Sequence, residues 1–207
     1  MKIYFVRHGS TDLFEQRISQ PDNEPLNESG KLQANKLAKC FSDIHPDLII
    51  SSPHTRALQT AKIISPNIEI SPLFIEVKKP KEVVGKSKDD QEAKNILKKI
   101  NEMYLVDPNW HYSDEENFED FKKRGQKALE FLISRNKEYI LVVSHGRFIG
   151  LMVGLMVFNE TYSLDVFLRL KNFLCLNNAG VSICTYKEGK WKLQCWNDTC
   201  HHLGQII

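Results

Sequence analysis

The sequence predicts an α/β protein, a three-layer α/β/α sandwich with a mainly parallel sheet and a helical cap insertion. Three short apolar segments predict the sheet, at residues 2–6, 47–51 and 139–144. Their apolar residues are continuous rather than alternating, which is typical of strands buried on both faces. Segments with helical periodicity lie between these strands, and histidine or arginine side chains follow each strand closely.

The first predicted helix follows the first strand. Its apolar face consists of Ala34, Leu37, Ala38 and Phe41, spaced i, i+3, i+4 and i+7. Asn27 precedes it as a suitable N-cap residue. With the strands at 2–6 and 47–51, this helix predicts a βαβ unit.

Helix and hairpin signals continue after the second strand. Ser52 and Pro53 predict an N-cap followed by proline at the first helical position, in a helix whose apolar residues include Ala57 and Ala61. Another helix is predicted after Gly146. Residues 180–186 and 190–196 predict a hairpin, because a glycine-containing turn separates them.

The middle of the chain predicts the cap. Two charged, helix-like segments lie at residues 88–103 and 114–134, and we expect residues 77–136, approximately, to pack over the sheet. No repeat or Pro/Gly/Ser-rich linker interrupts the sequence, so we expect one domain over residues 1–207.

Composition narrows the class of protein. The formal net charge is +2, from 28 basic and 26 acidic side chains, which gives no overall field for a nucleic acid or a membrane surface. No apolar segment resembles a signal peptide or approaches the roughly 20 residues of a membrane span. The five cysteines are odd in number and form no CxxC pair. We therefore expect a cytoplasmic protein with reduced thiols.

The residues that follow the three strands carry the chemistry. Arg7 and His8 follow the first strand, Arg56 lies shortly after the second, and His145 follows the third. In open α/β sheets, ligands bind beyond the carboxyl ends of the strands, so we expect these four side chains to meet in one cleft. The sequence therefore predicts a binding site at this edge of the sheet.

The residue types predict phosphoryl chemistry. Arginine offers a planar fork of donors that matches tetrahedral oxyanions, so Arg7 and Arg56 indicate a phosphate pocket. A neutral imidazole is a nucleophile near neutral pH, whereas a protonated one can donate to phosphoryl oxygens. Residue chemistry alone leaves open which of His8 and His145 attacks. His54 is expected to be a bystander or to contact the rim of the site.

Five segments then resemble the histidine phosphatases, the phosphoglycerate-mutase-like superfamily. Residues 7–11 resemble its R-H-G-x-T signature and residues 143–146 its V-S-H-G. Residues 25–34 are similar to its P-L-T-x-x-G-x-x-Q-A, and residues 51–61 to its S-S-P-L-x-R-A-x-Q-T-A. Residues 197–203 resemble its C-terminal N-D-T-x-H-L. These matches cover the N-terminal and C-terminal thirds in the family's order.

The resemblance implies a role for each residue. It makes His8 the nucleophile, it makes Arg7, Arg56 and His145 the phosphoryl-binding residues, and Thr11 of the signature joins the substrate-binding candidates. It also implies an acid after the strand that precedes the cap, at Glu76. The segment after Glu76 departs from the family's glycine-tryptophan-glutamate-glycine, which leaves Glu82 as an alternative acid.

These roles predict a phosphatase that hydrolyses phosphate monoesters through a covalent phosphohistidine on His8, as a histidine acid-base phosphatase. The expected partner is a small phosphorylated substrate, with no cofactor, nucleic acid or membrane, and the oligomeric state stays open. Two alternatives remain, a phosphoglycerate-type phosphomutase and a non-catalytic phosphate-binding protein. A metal site that combines His201 and His202 with the cleft is disfavoured, because paired arginines repel a divalent cation.

Overall fold

The computed structural model describes residues 1–199 of the chain, and its centre is a six-stranded sheet. The strands run in the spatial order β3-β2-β4-β1-β5-β6. Their bounds are Lys2–Arg7 (β1), Leu48–Ser51 (β2), Glu69–Ile70 (β3), Tyr139–Ser144 (β4), Val181–Lys187 (β5) and Lys190–Asp198 (β6). The three predicted strands are thus confirmed, within one residue, as β1, β2 and β4.

Three of the five strand pairings are parallel. Strand β4 pairs in parallel with both β1 and β2, and β2 pairs in parallel with β3. The pairings β1–β5 and β5–β6 are antiparallel. The mainly parallel sheet is confirmed, but the simple βαβ unit is wrong in one respect. Strand β4 lies between β1 and β2, because a later part of the chain inserts into the centre of the sheet.

Helices cover both faces of the sheet, which confirms the three layers. Among residues 1–199 the α-helices are Asp12–Glu15 (α1), Glu28–Phe41 (α2), Thr55–Ile64 (α3), Gln91–Val106 (α4), Phe118–Ser134 (α5), Gly146–Phe158 (α6) and Leu164–Phe173 (α7). Short 3₁₀ turns occupy Pro72–Phe74 and Asn159–Thr161.

Alternate residues of β1 show how the core divides. Ile3 and Phe5 are fully buried in a cluster with residues of α5 and α6. Tyr4 and Val6 are buried in a second cluster with residues of α2 and α3. Because successive side chains of a strand point to opposite faces, each of these helix pairs covers one face of the sheet.

Two N-cap residues were predicted, and one of them differs. Asn27 caps α2, since its side-chain oxygen accepts a hydrogen bond from Gly30 N at 2.8 Å. Helix α3 begins at Thr55 rather than at Pro53. The N-cap position is His54, and Ser52 lies two residues earlier in the extended chain, where its N–H donates to Val143 O and continues the β2–β4 ladder by one residue.

The segment predicted as a cap divides into two parts. Helix α5 packs on the sheet core, where Phe121, Ala128 and Leu132 are buried. Helix α4 buries Ile96 and Ile100 in a separate apolar cluster beyond the sheet. We therefore propose that the cap within the single predicted domain is residues 77–117, shorter than the expected 77–136.

Candidate active site

The carboxyl ends of β1, β2 and β4 meet at one edge of the sheet, and a cavity of about 820 Å³ opens there. Four of the predicted residues line it, namely Arg7, His8, Arg56 and Glu76. His145 lies against them, with its ring centroid 5.1 Å from that of His8. The structure therefore brings the predicted cluster together.

The His8 imidazole is buried and held in one orientation. Its Nδ1 lies 2.8 Å from Gly9 O, a carbonyl that can only accept, so Nδ1 carries the proton. Nε2 then has a free lone pair, and Arg56 Nε donates to it at 3.2 Å. Burial, followed by the charges of Arg56 and Arg7, holds the pKa of His8 well below its ordinary value. His8 is therefore neutral at neutral pH, the form a nucleophile requires.

Arg56 is fixed by its position on the first turn of α3. Its Nη1 donates to Pro21 O at 2.8 Å, and its Nη2 lies 3.3 Å from His54 Nδ1. Burial lowers the pKa of Arg56, and Glu76 opposes that shift. The guanidinium thus lies directly beside the nucleophilic nitrogen of His8.

His145 is fully buried at the end of β4. Its Nε2 lies 2.8 Å from Ser52 Oγ, and its Nδ1 has no hydrogen-bond partner among the described residues. Burial, and then the charge of Arg56, lowers the pKa of His145 well below its ordinary value. Burial thus favours the neutral ring of His145, which still has one N–H to donate to a phosphoryl oxygen.

Arg7 is the last residue of β1, and its Nε–H is an unpaired donor within residues 1–199. One of its terminal nitrogens donates to Leu176 O, and its guanidinium stacks on Phe14, 4.5 Å from the ring centroid. The buried Nε of Arg7 has no partner among residues 1–199. Unpaired buried donors are uncommon in folded proteins. The Arg7 Nε and the unpartnered Nδ1 of His145 are the atoms that a bound oxyanion could satisfy.

Glu76 lies at the amino end of α6. Its carboxylate accepts hydrogen bonds from Val77 N at 3.0 Å, Phe148 N at 3.1 Å and Arg147 N at 3.2 Å. Glu82, the alternative acid, does not line the cavity and accepts instead from Ser113 Oγ at 2.8 Å. Of the two candidates, the structure thus brings only Glu76 to the site.

Thr11 lies deeper than a substrate contact requires. Its fully buried hydroxyl caps α1 by accepting from Phe14 N at 3.3 Å, and it also accepts from Gln20 Nε2. Thr11 is not among the residues that line the cavity. A role in substrate binding therefore stays a prediction for this residue.

Sequence reasoning missed the residues that hold the loop after β1. Gly9 N donates to Thr60 Oγ1 at 3.1 Å, and Ser10 N donates to Gln33 Oε1 at 2.8 Å. Asn178 Nδ2 donates to the His8 and Gly9 carbonyls, at 3.1 Å each. Gln33 lies in residues 25–34 and Thr60 in residues 51–61, two of the segments that resemble the family. That resemblance could have indicated their importance.

His54 was expected to be a bystander or a rim contact, but it is a buried member of the cluster. Its ring lies 4.8 Å from that of His145, and its Nε2 lies 3.2 Å from Asp22 Oδ1. Burial, and then the charge of Arg56, lowers the pKa of His54. Its contact with Arg56 gives it a part in holding the guanidinium that sequence chemistry did not indicate.

A metal-binding cluster and a membrane-spanning helix are both absent from residues 1–199. No group of three His, Cys, Asp or Glu side chains in this range is arranged to hold a metal ion. His201 and His202, which entered the metal hypothesis, lie outside the described residues. No helix in the same range is long and apolar enough to cross a membrane.

The chain is similar over nearly its whole length to proteins named as phosphatases and phosphoglycerate mutases. The chain is 27% identical over 211 residues to a Bacillus subtilis protein named "uncharacterized phosphatase PhoE", covering 99% of this chain and 98% of that protein. It is also 27% identical over 206 residues to a protein of Enterobacter sp. (strain 638) named "probable phosphoglycerate mutase GpmB", covering 95% and 90%.

The fold and the family of this chain are both shared with known proteins. The α-ribazole phosphatase of Shigella flexneri superposes with a TM-score of 0.79 at 18% identity, covering 96% of each chain, which shows the shared fold. The profile of the histidine phosphatase superfamily (branch 1) matches residues 3–199. Family membership and the phosphatase-named relatives support phosphatase function. The chain belongs to branch 1 of the histidine phosphatase superfamily.

Proposed function

We propose that this protein hydrolyses small phosphate monoesters through a covalent phosphohistidine on His8, as a histidine acid-base phosphatase. One observation carries the proposal. The buried His8 donates from Nδ1 to Gly9 O at 2.8 Å and presents the lone pair of Nε2 to Arg56 Nε at 3.2 Å. A neutral imidazole beside a guanidinium is suited to attack a phosphorus atom whose oxygens the guanidinium binds.

The first step transfers the phosphoryl group to the protein. A phosphoryl oxygen replaces His8 as the acceptor for Arg56 Nε, which frees the lone pair of His8 Nε2. Nε2 then attacks phosphorus in line, the bond from phosphorus to the ester oxygen breaks, and Glu76 donates a proton to that oxygen. The carboxyl group of Glu76 must turn from the amino end of α6 to do this. The alcohol leaves, and the phosphoryl group remains on Nε2.

The second step returns His8 to its starting form. Water attacks phosphorus while Glu76, now a carboxylate, accepts a proton from it. The bond between phosphorus and Nε2 breaks, inorganic phosphate leaves, and His8 is again a neutral imidazole. Arg7, Arg56 and His145 stabilise the phosphoryl oxygens in both steps, so the proposal calls for no metal or organic cofactor.

Phosphate release is the direct test of this proposal. We expect purified protein to release phosphate from p-nitrophenyl phosphate in the presence of EDTA, with competitive inhibition by vanadate and inorganic phosphate. His8→Ala should abolish turnover while its thermal midpoint stays near that of the wild type. Loss of wild-type activity in EDTA that zinc or magnesium restores would instead indicate a metal enzyme.

3-Phosphoglycerate separates the phosphatase from the mutase alternative. A phosphatase releases inorganic phosphate from it, whereas a mutase converts it to the 2-phospho isomer. Isomerisation faster than phosphate release would replace hydrolysis with phosphoryl transfer as the function.

A further inference from the structure

The cavity contains more positive charge than one phosphoryl group requires. Eight arginine or lysine residues line it, against three aspartate or glutamate residues. Arg7 and Arg56 belong to the phosphoryl site, and Lys78 pairs with Asp114 at 3.2 Å. Of the other five, Lys81 adjoins Asp114, which accepts a hydrogen bond from its backbone N–H at 2.9 Å. The remaining four form what we call the Arg147 cluster: Lys79, Lys88, Arg147 and Lys171.

Members of the Arg147 cluster lie close enough to repel one another. The pKa of Lys79 falls to about 8, because its ammonium is desolvated and the charge of Arg147 acts on it unfavourably. The pKa of Lys88 is also lowered by burial and then by Arg147. For Lys171, partial desolvation of the ammonium and then Arg147 lower the pKa to about 8, although the residue as a whole is exposed.

No carboxylate forms an ion pair with this cluster among the described residues. Lys79 Nζ donates to the neutral Ser19 hydroxyl at 2.8 Å, and Lys88 stacks on Phe14, 5.3 Å from the ring centroid. The carboxylate of Glu76, which does act on Lys79, is held by three backbone N–H groups. Mutual repulsion among cations that no carboxylate pairs with directly costs free energy, and a bound anion lowers that cost.

The cluster is continuous with the phosphoryl site. Phe14 contacts both, because its ring lies under the guanidinium of Arg7 as well as the ammonium of Lys88. Arg147 follows Gly146 on the first turn of α6, next to His145. The cavity of about 820 Å³ lies in the range that holds an entire small molecule, so one substrate can occupy both regions.

We propose that the Arg147 cluster is a second anion-binding subsite that takes a second phosphate group, so that the preferred substrate is an organic bisphosphate. This inference rests on the proposed function, since the first phosphate is the one that reacts at His8. A phosphate rather than a carboxylate fits the cluster, because four cations face it. A phosphate monoester carries about −1.5 to −2 charges and three acceptor oxygens at pH 7, whereas a carboxylate carries one charge and two oxygens.

Binding to the full-length His8→Ala protein tests the subsite without turnover. Three four-carbon probes share one phosphate and differ at the far end: butane-1,4-diol bisphosphate, 4-(phosphonooxy)butanoate and 4-hydroxybutyl phosphate. By calorimetry, the bisphosphate should bind about tenfold or more tightly than the hydroxyl probe, as one added charge-assisted contact warrants, with the carboxylate probe in between. Equal affinity of the bisphosphate and hydroxyl probes, or of the bisphosphate and carboxylate probes, would overturn the proposal.

Charge-matched variants then locate the effect. Arg147→Gln in the His8→Ala background should remove most of the bisphosphate advantage, and Lys79→Met provides a second variant if Arg147→Gln unfolds. Lys127→Gln, which removes one positive charge from the exposed side of α5, should keep the full advantage. An advantage that survives both subsite variants would show that the second phosphate binds elsewhere.

Turnover separates this inference from the proposed function. In protein with His8 intact, Arg147→Gln should lower kcat/KM for the bisphosphate by about tenfold more than for p-nitrophenyl phosphate. An equal loss on both substrates contradicts the subsite. If no phosphate ester is turned over by the wild type, the proposed function fails, but the binding series still decides whether the subsite exists.

Discussion

His8 and His145 are buried and have no acidic partner within residues 1–199, and this sets their chemistry. Burial and the neighbouring arginines favour the neutral ring in both residues. Neutrality suits the role proposed for His8, in which Nε2 attacks phosphorus while Arg56 beside it supplies the positive charge for the phosphoryl oxygens. In this proposal, His8 is the nucleophile and Arg56 is the cation. The loop after β1 carries His8, and the first turn of α3 places Arg56 beside it.

The buried histidines predict an acid-sensitive fold. The pKa values of His8, His54 and His145 are lowered in the folded protein, so below about pH 6.5 the unfolded chain binds protons that the folded chain does not. The stabilising contribution of these neutral histidines is therefore fully present above about pH 6.5 and is lost as the pH falls below that value. The exposed carboxylates with lowered pKa values, such as Asp89, act only at more acidic pH.

Thermal midpoints between pH 7 and pH 5 measure this loss. The midpoint of the wild type should fall over that range, and the fall should be smaller in His145→Asn. His45→Asn changes an exposed histidine with positive φ, a backbone conformation that asparagine tolerates, and should keep the wild-type slope. Equal slopes in all three proteins would show that the buried histidines do not set the acid limit.

Glu76 as the general acid predicts a dependence on the leaving group. An alkoxide needs a proton to depart, whereas nitrophenolate does not, so Glu76→Gln should lower kcat/KM for an alkyl phosphate by about 100-fold or more and for p-nitrophenyl phosphate much less. The parameter kcat/KM is compared because it reports the steps up to the first chemical one.

Glu82→Gln is the matched control for that series. Its carboxylate bonds to Ser113 outside the cavity, so neither substrate should show the leaving-group effect. An equal loss on both substrates in Glu76→Gln would exclude Glu76 as the acid. If Glu82→Gln showed the leaving-group effect instead, Glu82 would be the general acid.

At the scale of elements, helices α2 and α3 hold in place the proposed catalytic loop, residues 8–11 between β1 and α1. The Cα of Gly30, in the first turn of α2, packs against the backbone of Gly9 and Ser10. Gln33 and Thr60 then bind the loop's N–H groups. These contacts explain why Gly30, Gln33 and Thr60 suit the two segments that resemble the family, residues 25–34 and 51–61.

Replacing Gly30 with alanine should therefore disturb the site through the backbone. The added Cβ would lie 2.1 Å from Ser10 O, a backbone atom that can move only with the catalytic loop. We expect Gly30→Ala to lower the free energy of unfolding by about 1–3 kcal/mol. It should also lower kcat/KM, because small displacements of a reacting group are costly.

Gly150→Ala is the control on the opposite side of the sheet. No atom lies within 4 Å of a Cβ built at Gly150, so the change should leave stability equal or raise it by up to about 1 kcal/mol through helix propensity. Urea unfolding of both variants gives the comparison. A Gly30→Ala protein as stable as Gly150→Ala would show that Gly30 does not hold the loop in place.

The elements themselves were largely predictable, because continuous apolar segments and capping residues are local signals. Asn27 as a cap and the strand at Tyr139–Ser144 are confirmed on such signals. The start of α3 was not predictable, because Ser52 is hydrogen-bonded to Val143 of β4 and to His145, which lie far later in the chain. Local capping chemistry carries no information about such a contact.

At the scale of the whole molecule, the order of the strands creates the site. Insertion of β4 between β1 and β2 brings His145 between the residues that follow the other two strands. The sequence predicted which side chains share the edge, since parallel strands end on one side. It did not predict the strand order, the burial of His54 or the Arg147 cluster, since each depends on packing between distant segments.

The separate core of the cap predicts uneven stability. Helix α4 buries its apolar face in its own cluster around Val83 and Ile100, whereas β1 and β4 lie in the centre of the sheet. Amides of α4 should exchange hydrogen through a local opening of lower free energy, and those of β1 and β4 only through global unfolding. Native-state hydrogen exchange measures this. Equal opening free energies for α4 and β4 would mean that the cap unfolds together with the sheet.

The covalent intermediate is the most direct test of the central claim. Brief exposure of the wild type to ³²P-labelled phosphoester, followed by rapid quenching in base, should trap one acid-labile, base-stable phosphoryl group on His8. Because Nδ1 donates to Gly9 O, the group should be on Nε2, which NMR or chromatography of the phosphohistidine isomers can distinguish. Label on serine or cysteine, label on Nδ1, or label that persists in His8→Ala would contradict the account.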